Sequence, residues 1–95
     1  MNTYEGIFIF RPDLEESRLE EEYSKVETTL KKHEAAVEKT ERWGKKRLTY
    51  EIDSFREGFF LYLVFNAMPD KIKVFTDLFK IDNNILRSMI TRKES

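Results

Sequence analysis

The chain has no cysteine, one histidine, two prolines and three glycines in 95 residues, and each scarcity closes off chemistry. Without a thiol there is no disulfide framework, thiolate metal site or cysteine nucleophile, and the composition suits a reducing compartment. His33 is the only imidazole. It ends an acid-rich helical segment, where it suits the negative end of the helix dipole better than the role of metal ligand or base. No His or Asp at ligand spacing accompanies Glu20, Glu21 and Glu22, so that run reads as a hydrated helix face. Long apolar stretches are also missing. The longest, residues 59–65, is far too short to cross a bilayer, and Met1-Asn2-Thr3-Tyr4-Glu5 lacks the basic start and apolar segment of a secretory signal. The expected compartment is the cytoplasm.

A surplus of charge is absent too: 17 basic residues face 18 acidic ones, a net −1. The distribution is uneven. Residues 13–34 hold eight acids and four bases, a net −4, so the rest of the chain carries +3. Residues 42–47 carry four cations and no acid. One segment is acidic and another basic, which matters more for partners than the total does.

What is present patterns clearly. Residues 4–10 are β-branched and aromatic, and Arg11-Pro12-Asp13 ends that strand. A helix is expected from Asp13 or soon after, with Asp13 and Glu16 spaced like a capping box. Leu19, Tyr23, Val26 and Leu30 recur at helical steps and form one buried stripe. Residues 35–43 alternate through Ala35, Val37, Lys39, Glu41 and Trp43, and residues 47–52 alternate again through Leu48, Tyr50 and Ile52, so a long second strand with a bulge or bend at Gly44 is expected. A loop over residues 53–58 leads to the most apolar strand, residues 59–65, whose continuous apolarity marks a central position. Pro69-Asp70 opens a second helix with Ile72, Phe75, Leu78 and Phe79 on one side. Asp82-Asn83-Asn84 breaks it, and residues 85–92 form the last strand.

The order β-α-β-β-α-β predicts a ferredoxin-like α+β fold: one domain over residues 1–95, with two helices on one face of a four-stranded antiparallel sheet. Right-handed crossovers place the first and third strands in the centre. At this length roughly 60 to 70% of the unfolded surface is buried, enough to fold without staples and, in isolation, as a monomer. The other face of the sheet, with Phe60 and Tyr62, is expected to be uncovered and to need a binding role. The aromatic residues are otherwise mostly core, Phe8 with Phe10 on one strand face and Phe75 with Phe79 on one helix face.

Function is most legible in residues 43–52, Trp43-Gly44-Lys45-Lys46-Arg47-Leu48-Thr49-Tyr50-Glu51-Ile52. Three consecutive cations on a sheet arm can hold phosphates at fixed spacing, and Trp43 and Tyr50 offer faces to a base, a ribose or a partner side chain. The competing reading is a solvated hairpin whose charges block edge-to-edge aggregation.

Several short signatures, in order, resemble the bacterial ribosomal protein S-six family across all 95 residues. They are Tyr4-Glu5, Pro12 before the first helix, Trp43 to Tyr50 in the arm, Gly58-Phe59-Phe60, Met68-Pro69, and Arg87-Ser88-Met89. The resemblance implies a structural component of the small ribosomal subunit that binds the central domain of 16S rRNA as a heterodimer with the highly basic ribosomal protein S-eighteen. It involves no cofactor, catalytic residue or metal. It carries RNA binding onto Tyr4, Lys45, Lys46, Arg47, Arg56 and Arg87, with Trp43 and Tyr50 touching RNA or partner. Two places depart from the family pattern: Asn2 and Thr3 stand where basic residues are usual, and Glu51 where proline is common. A single-strand RNA binder of the RNA-recognition-motif kind shares the topology, but its basic-Gly-aromatic-Gly pattern is missing from the third strand. A ferredoxin-like regulatory domain or enzyme needs convergent polar groups or a titratable pair placed for chemistry, and the sequence offers none.

Overall fold

A computed structural model describes residues 1–93. β1 (Asn2–Phe10) turns Tyr4, Phe8 and Phe10 to one face and Ile7 and Ile9 to the other, as the two-residue period of a strand requires. It pairs antiparallel with β3 (Phe55–Ala67) on one side and β4 (Ile85–Arg92) on the other. β2 (Ala36–Ile52) pairs antiparallel with the outer side of β3, giving the order β2-β3-β1-β4. The first and third strands are therefore central. Together with α1 (Glu16–Lys32) and α2 (Ile72–Lys80), which follows a 3₁₀ turn at Pro69–Lys71, they complete the ferredoxin-like α+β fold.

The core lies between the helices and one sheet face. Phe8, Phe10, Leu61, Leu63 and Phe65 from the sheet meet Leu19, Tyr23, Val26 and Leu30 of α1 and Phe75 and Phe79 of α2. Its rings meet edge to face, Phe8 on Phe79 at 4.9 Å and Phe10 on Tyr23 at 5.4 Å between centroids, the arrangement that aromatic quadrupoles favour.

Several expectations are corrected. α1 starts at Glu16, with Glu15 at its N-cap and no side-chain cap bond. The Asp13 carboxylate is instead held by Arg11 at 3.0 Å, so no capping box forms. Glu22 is buried rather than hydrated, at 2% exposure, because it sits one position before Tyr23 on the edge of the apolar stripe and faces the α2–β4 turn, where Asn84 binds it. Leu78 is left partly exposed while Phe75 and Phe79 take the inner face of α2. His33 does close α1, and its ring packs edge-on against Phe75 at 5.9 Å.

The loop expected over residues 53–58 is only two residues long. Asp53 and Ser54 both adopt positive φ, 50° and 72°, the conformation of a tight hairpin turn. β3 then starts at Phe55. β2 does carry a bulge at Gly44, where φ is 79° and the register shifts between Arg42 and Gly44. A second bulge, between Val37 and Lys39, breaks the alternation read through residues 35–43. Lys39 and Glu41 consequently pair with Val64 and Tyr62 on the open face, opposite to Val37.

Candidate nucleic-acid interface

The open face is built by the alternate residues of the same strands. Ile9 of β1, Phe60 of β3 and Met89 of β4 form an apolar floor, and the arm of β2 borders it with Leu48, Tyr50 and Ile52 to make a groove of about 390 Å³. The register offset between Arg47 and Ile52 gives β2 three more residues than β3 over this stretch, and such extra residues bend and twist a strand. Sequence reasoning placed Phe60 on this face but missed Ile9, Leu48 and Met89 as its companions. For Ile9 a signal was available in β1, where Ile7 and Ile9 put apolar side chains on the second side of the strand as well.

Lys46, Arg47 and Arg87 line this groove. Lys46 and Arg47 come from β2 and Arg87 from the opposite edge strand, 40 residues away in sequence, so the fold brings together cations that the sequence keeps apart. All three are exposed. The Arg87 guanidinium donates to the Tyr50 hydroxyl at 3.3 Å, bridging arm and edge. Lys45 points elsewhere: it pairs in register with Phe59, and its ammonium lies 5.1 Å from that ring. Arg56, near the hairpin tip, faces Glu51 at 3.7 Å, a loose and solvated pair of little energetic weight. Arg42 is turned to the helices, where it lies over Tyr23 and pairs with Glu20.

The aromatic candidates separate. Tyr4 is 6% exposed and stacks on Phe65 inside the core, because it shares the phase of Phe8 and Phe10, so its ring is closed to a base. Tyr50 is 64% exposed. Trp43, the unpaired residue of the bulge at Gly44, stacks on Tyr62 at 5.0 Å and 12° and donates its indole N–H to Glu41 at 3.0 Å. That bond, followed by one from Lys39, holds the Glu41 carboxyl below its usual range. The Lys46 ammonium lies 5.0 Å from the indole. Tyr62 in turn donates its hydroxyl to Glu5, and this bond, ahead of burial, pushes the phenol up. The ring that an RNA-recognition-motif protein would offer to a base is thus covered and tethered by the chain itself.

Among the described residues no cluster of His, Asp or Glu could hold a metal, and no helix is long and apolar enough to cross a membrane. The groove offers cations over an apolar floor, suited to anionic backbone and to apolar contact rather than to bond-making chemistry. A sequence model of the family described as Ribosomal protein S6 matches residues 3–92. The chain belongs to this family. It is 40% identical over 94 residues to the small ribosomal subunit protein bS6 of Halalkalibacterium halodurans, covering 99% of both chains. With that of Shouchella clausii the identity is 37%, again over 99% of both. In backbone it is similar to the crystal structure of 30S ribosomal protein S6 from Thermotoga maritima, with a TM-score of 0.92 at 24% identity over 97% of this chain and 87% of that one. That likeness concerns the fold. As an S6 family member the chain is a structural, non-enzymatic protein of the small ribosomal subunit, and its place is the ribosome in the cytoplasm.

Proposed function

We propose that this chain acts as one domain that binds the central domain of 16S rRNA jointly with ribosomal protein S-eighteen. Lys45, Lys46, Arg47 and Arg87 supply phosphate contacts, and Arg56 does so from the hairpin tip. The observation that carries the reading is the convergence of Lys46, Arg47 and Arg87 on a groove with an apolar floor. Cations at this density, without paired amide groups aimed at base edges, position a backbone rather than read a sequence. Tyr50, exposed beside Arg87, and the free edge of Trp43 contact RNA or partner. Tyr4 supports the site only from within the core.

A chain of net charge −1 gains little from counterion release by itself. Joint binding with a basic partner removes that difficulty, since the acids of α1 attract the partner and the arm remains for RNA. Titrating a 16S central-domain fragment with this chain alone, with the partner alone and with both tests the model. The coupling is expected at about 1 to 3 kcal/mol, roughly 5- to 150-fold, and identical whichever protein is added second. Tight binding by this chain alone, unchanged by the partner, would make the arm a self-sufficient RNA site. Lys45→Ala with Lys46→Ala should lower the slope of log affinity against log salt by roughly one to two. An unaltered slope returns the lysines to a solvated hairpin.

A further inference from the structure

Glu22 is the only charged residue among the fully buried side chains described, and nothing in RNA binding calls for it. Its Oε2 accepts a hydrogen bond from Asn84 Nδ2 at 3.0 Å, while the Arg18 guanidinium stands off at 3.9 Å. Its Oε1 is buried and has no partner. The carboxyl beside it on the α2–β4 turn is Asp82, joined to it through Asn84, whose side chain binds Glu22 and whose backbone N–H binds Asp82, and itself almost enclosed, with 8% of its side chain exposed. Asp82 is well provided for: Lys25 donates to Oδ2 at 3.2 Å and the Asn84 backbone N–H to Oδ1 at 3.0 Å. Two ionised carboxylates in this position would repel each other and leave a buried oxygen unpaired, a costly combination. One proton removes both faults, because it neutralises one group and turns an orphaned acceptor into a donor.

We propose that the buried Glu22 carboxyl is protonated and donates that proton to Asp82, forming a clasp between α1 and the turn that launches β4. The charged groups around the clasp are consistent with this assignment. Arg18 and Lys25 come from α1 itself, Lys25 spends its charge on Asp82, and Arg11, at the end of β1, is occupied by Asp13. Burial, then the contact with Asp82, pushes Glu22 up. Burial also opposes charge on Asp82, but hydrogen bonds from Glu22, Asn84 and Lys25 outweigh it and hold that carboxyl low.

The clasp lies upstream of the groove. Asn84, which binds both carboxyls, accepts the Arg11 N–H at 3.0 Å through its carbonyl, and the next residue, Ile85, pairs with Phe10. Arg87 follows two positions later. Losing the proton would therefore loosen the start of the strand that presents Arg87.

The sign of the pH dependence follows from the two shifts. A carboxyl raised in the folded state contributes stability that is complete below its unfolded pKa and lost as pH rises through the folded value. Asp82, held low, contributes above its unfolded pKa and loses the contribution as pH falls through its folded value. The clasp is strongest between those limits. Carboxyl ¹³C NMR titration of the full chain reads this directly. The Glu22 side-chain carbon is expected to titrate above the ordinary glutamate range, and Asp82→Asn should move its midpoint down. Glu22→Gln should flatten the alkaline side of the stability–pH profile measured by urea unfolding. A Glu22 carbon titrating in the ordinary range, or a midpoint unmoved by Asp82→Asn, overturns the proposal. If Glu22→Gln does not fold, the titrations of the wild-type chain and of Asp82→Asn decide by themselves.

Discussion

The sheet has two apolar faces, made by alternate residues of the same strands and finished in different ways. Towards the helices, Phe8, Phe10, Leu61, Leu63 and Phe65 are sealed completely. On the other side Ile9 and Val64 are nearly as enclosed, yet Phe60, Tyr62 and Met89 stay partly open, and what borders them is the chain's own arm rather than a helix. Cations stand over the open side, whereas towards the helices Arg42 and Lys45 lie along the rim, over Tyr23 and Phe59. Folding energy is thus concentrated on the helix side, and the open side can carry charge and partial exposure without putting the fold at risk. Substitutions should divide accordingly, with those towards the helices unfolding the chain and those on the open side weakening its interactions.

The largest effect expected is from Phe8→Ala. The ring is fully buried and packed on Phe79, so its loss should cost about 3 to 5 kcal/mol in urea unfolding. A cost below about 1 kcal/mol would erase the contrast between the faces. Gly58→Ala probes the place where the open face is tightest, since a Cβ there would lie 2.5 Å from Ile9 Cγ2 and 3.0 Å from the Phe10 carbonyl oxygen. Overpacking of this kind should cost about 1 to 3 kcal/mol, and a neutral result would mean that β1 and β3 separate easily. Trp43→Ala removes the stack on Tyr62 and should cost about 0.5 to 1.5 kcal/mol. If it leaves stability untouched yet abolishes RNA binding, the indole belongs to the interface more than to the fold. Arg47→Ala, the mildest, should change stability by less than about 0.5 kcal/mol and lower the salt slope of rRNA binding by about one. A large loss of stability would show that the arm is structural.

Much of the plan could be read from periodicity. The stripe of Leu19, Tyr23, Val26 and Leu30 and the apolar run of β3 fix which elements form and which surfaces they bury, because burial is what those patterns encode. The cation-rich arm was legible from density alone, but its meeting with Arg87 was not, since only the strand order brings the two edges over one face. Tyr4 could have been placed correctly: it shares the phase of Phe8 and Phe10, and that parity outweighs its nearness to the N-terminus. The bulge after Val37 left no sign, as Glu38 resembles its neighbours. Asp53-Ser54 lacks the glycine that usually announces a two-residue hairpin turn. Glu22 looked like Glu20 and Glu21, and only the return of the chain at Asp82 and Asn84 encloses it.

The two bulges in β2 act as paired frameshifts in the side-chain readout of the edge strand. Before Glu38 the odd-numbered Val37 faces the helices. Between the bulges the even-numbered Thr40 and Arg42 take that side, reaching Glu27 and Glu20 on α1. After Trp43 the odd phase returns, with Lys45 on Phe59 and Lys46 on the open side. Had the strand run unbroken, Lys39 and Glu41 would face α1, Glu41 would confront its acids, and Arg42 would be stranded on the open face. Deleting a single residue at either bulge should therefore exchange the two faces over everything between that point and the next correction. This edge should tolerate length changes only in compensating pairs, as a reading frame does.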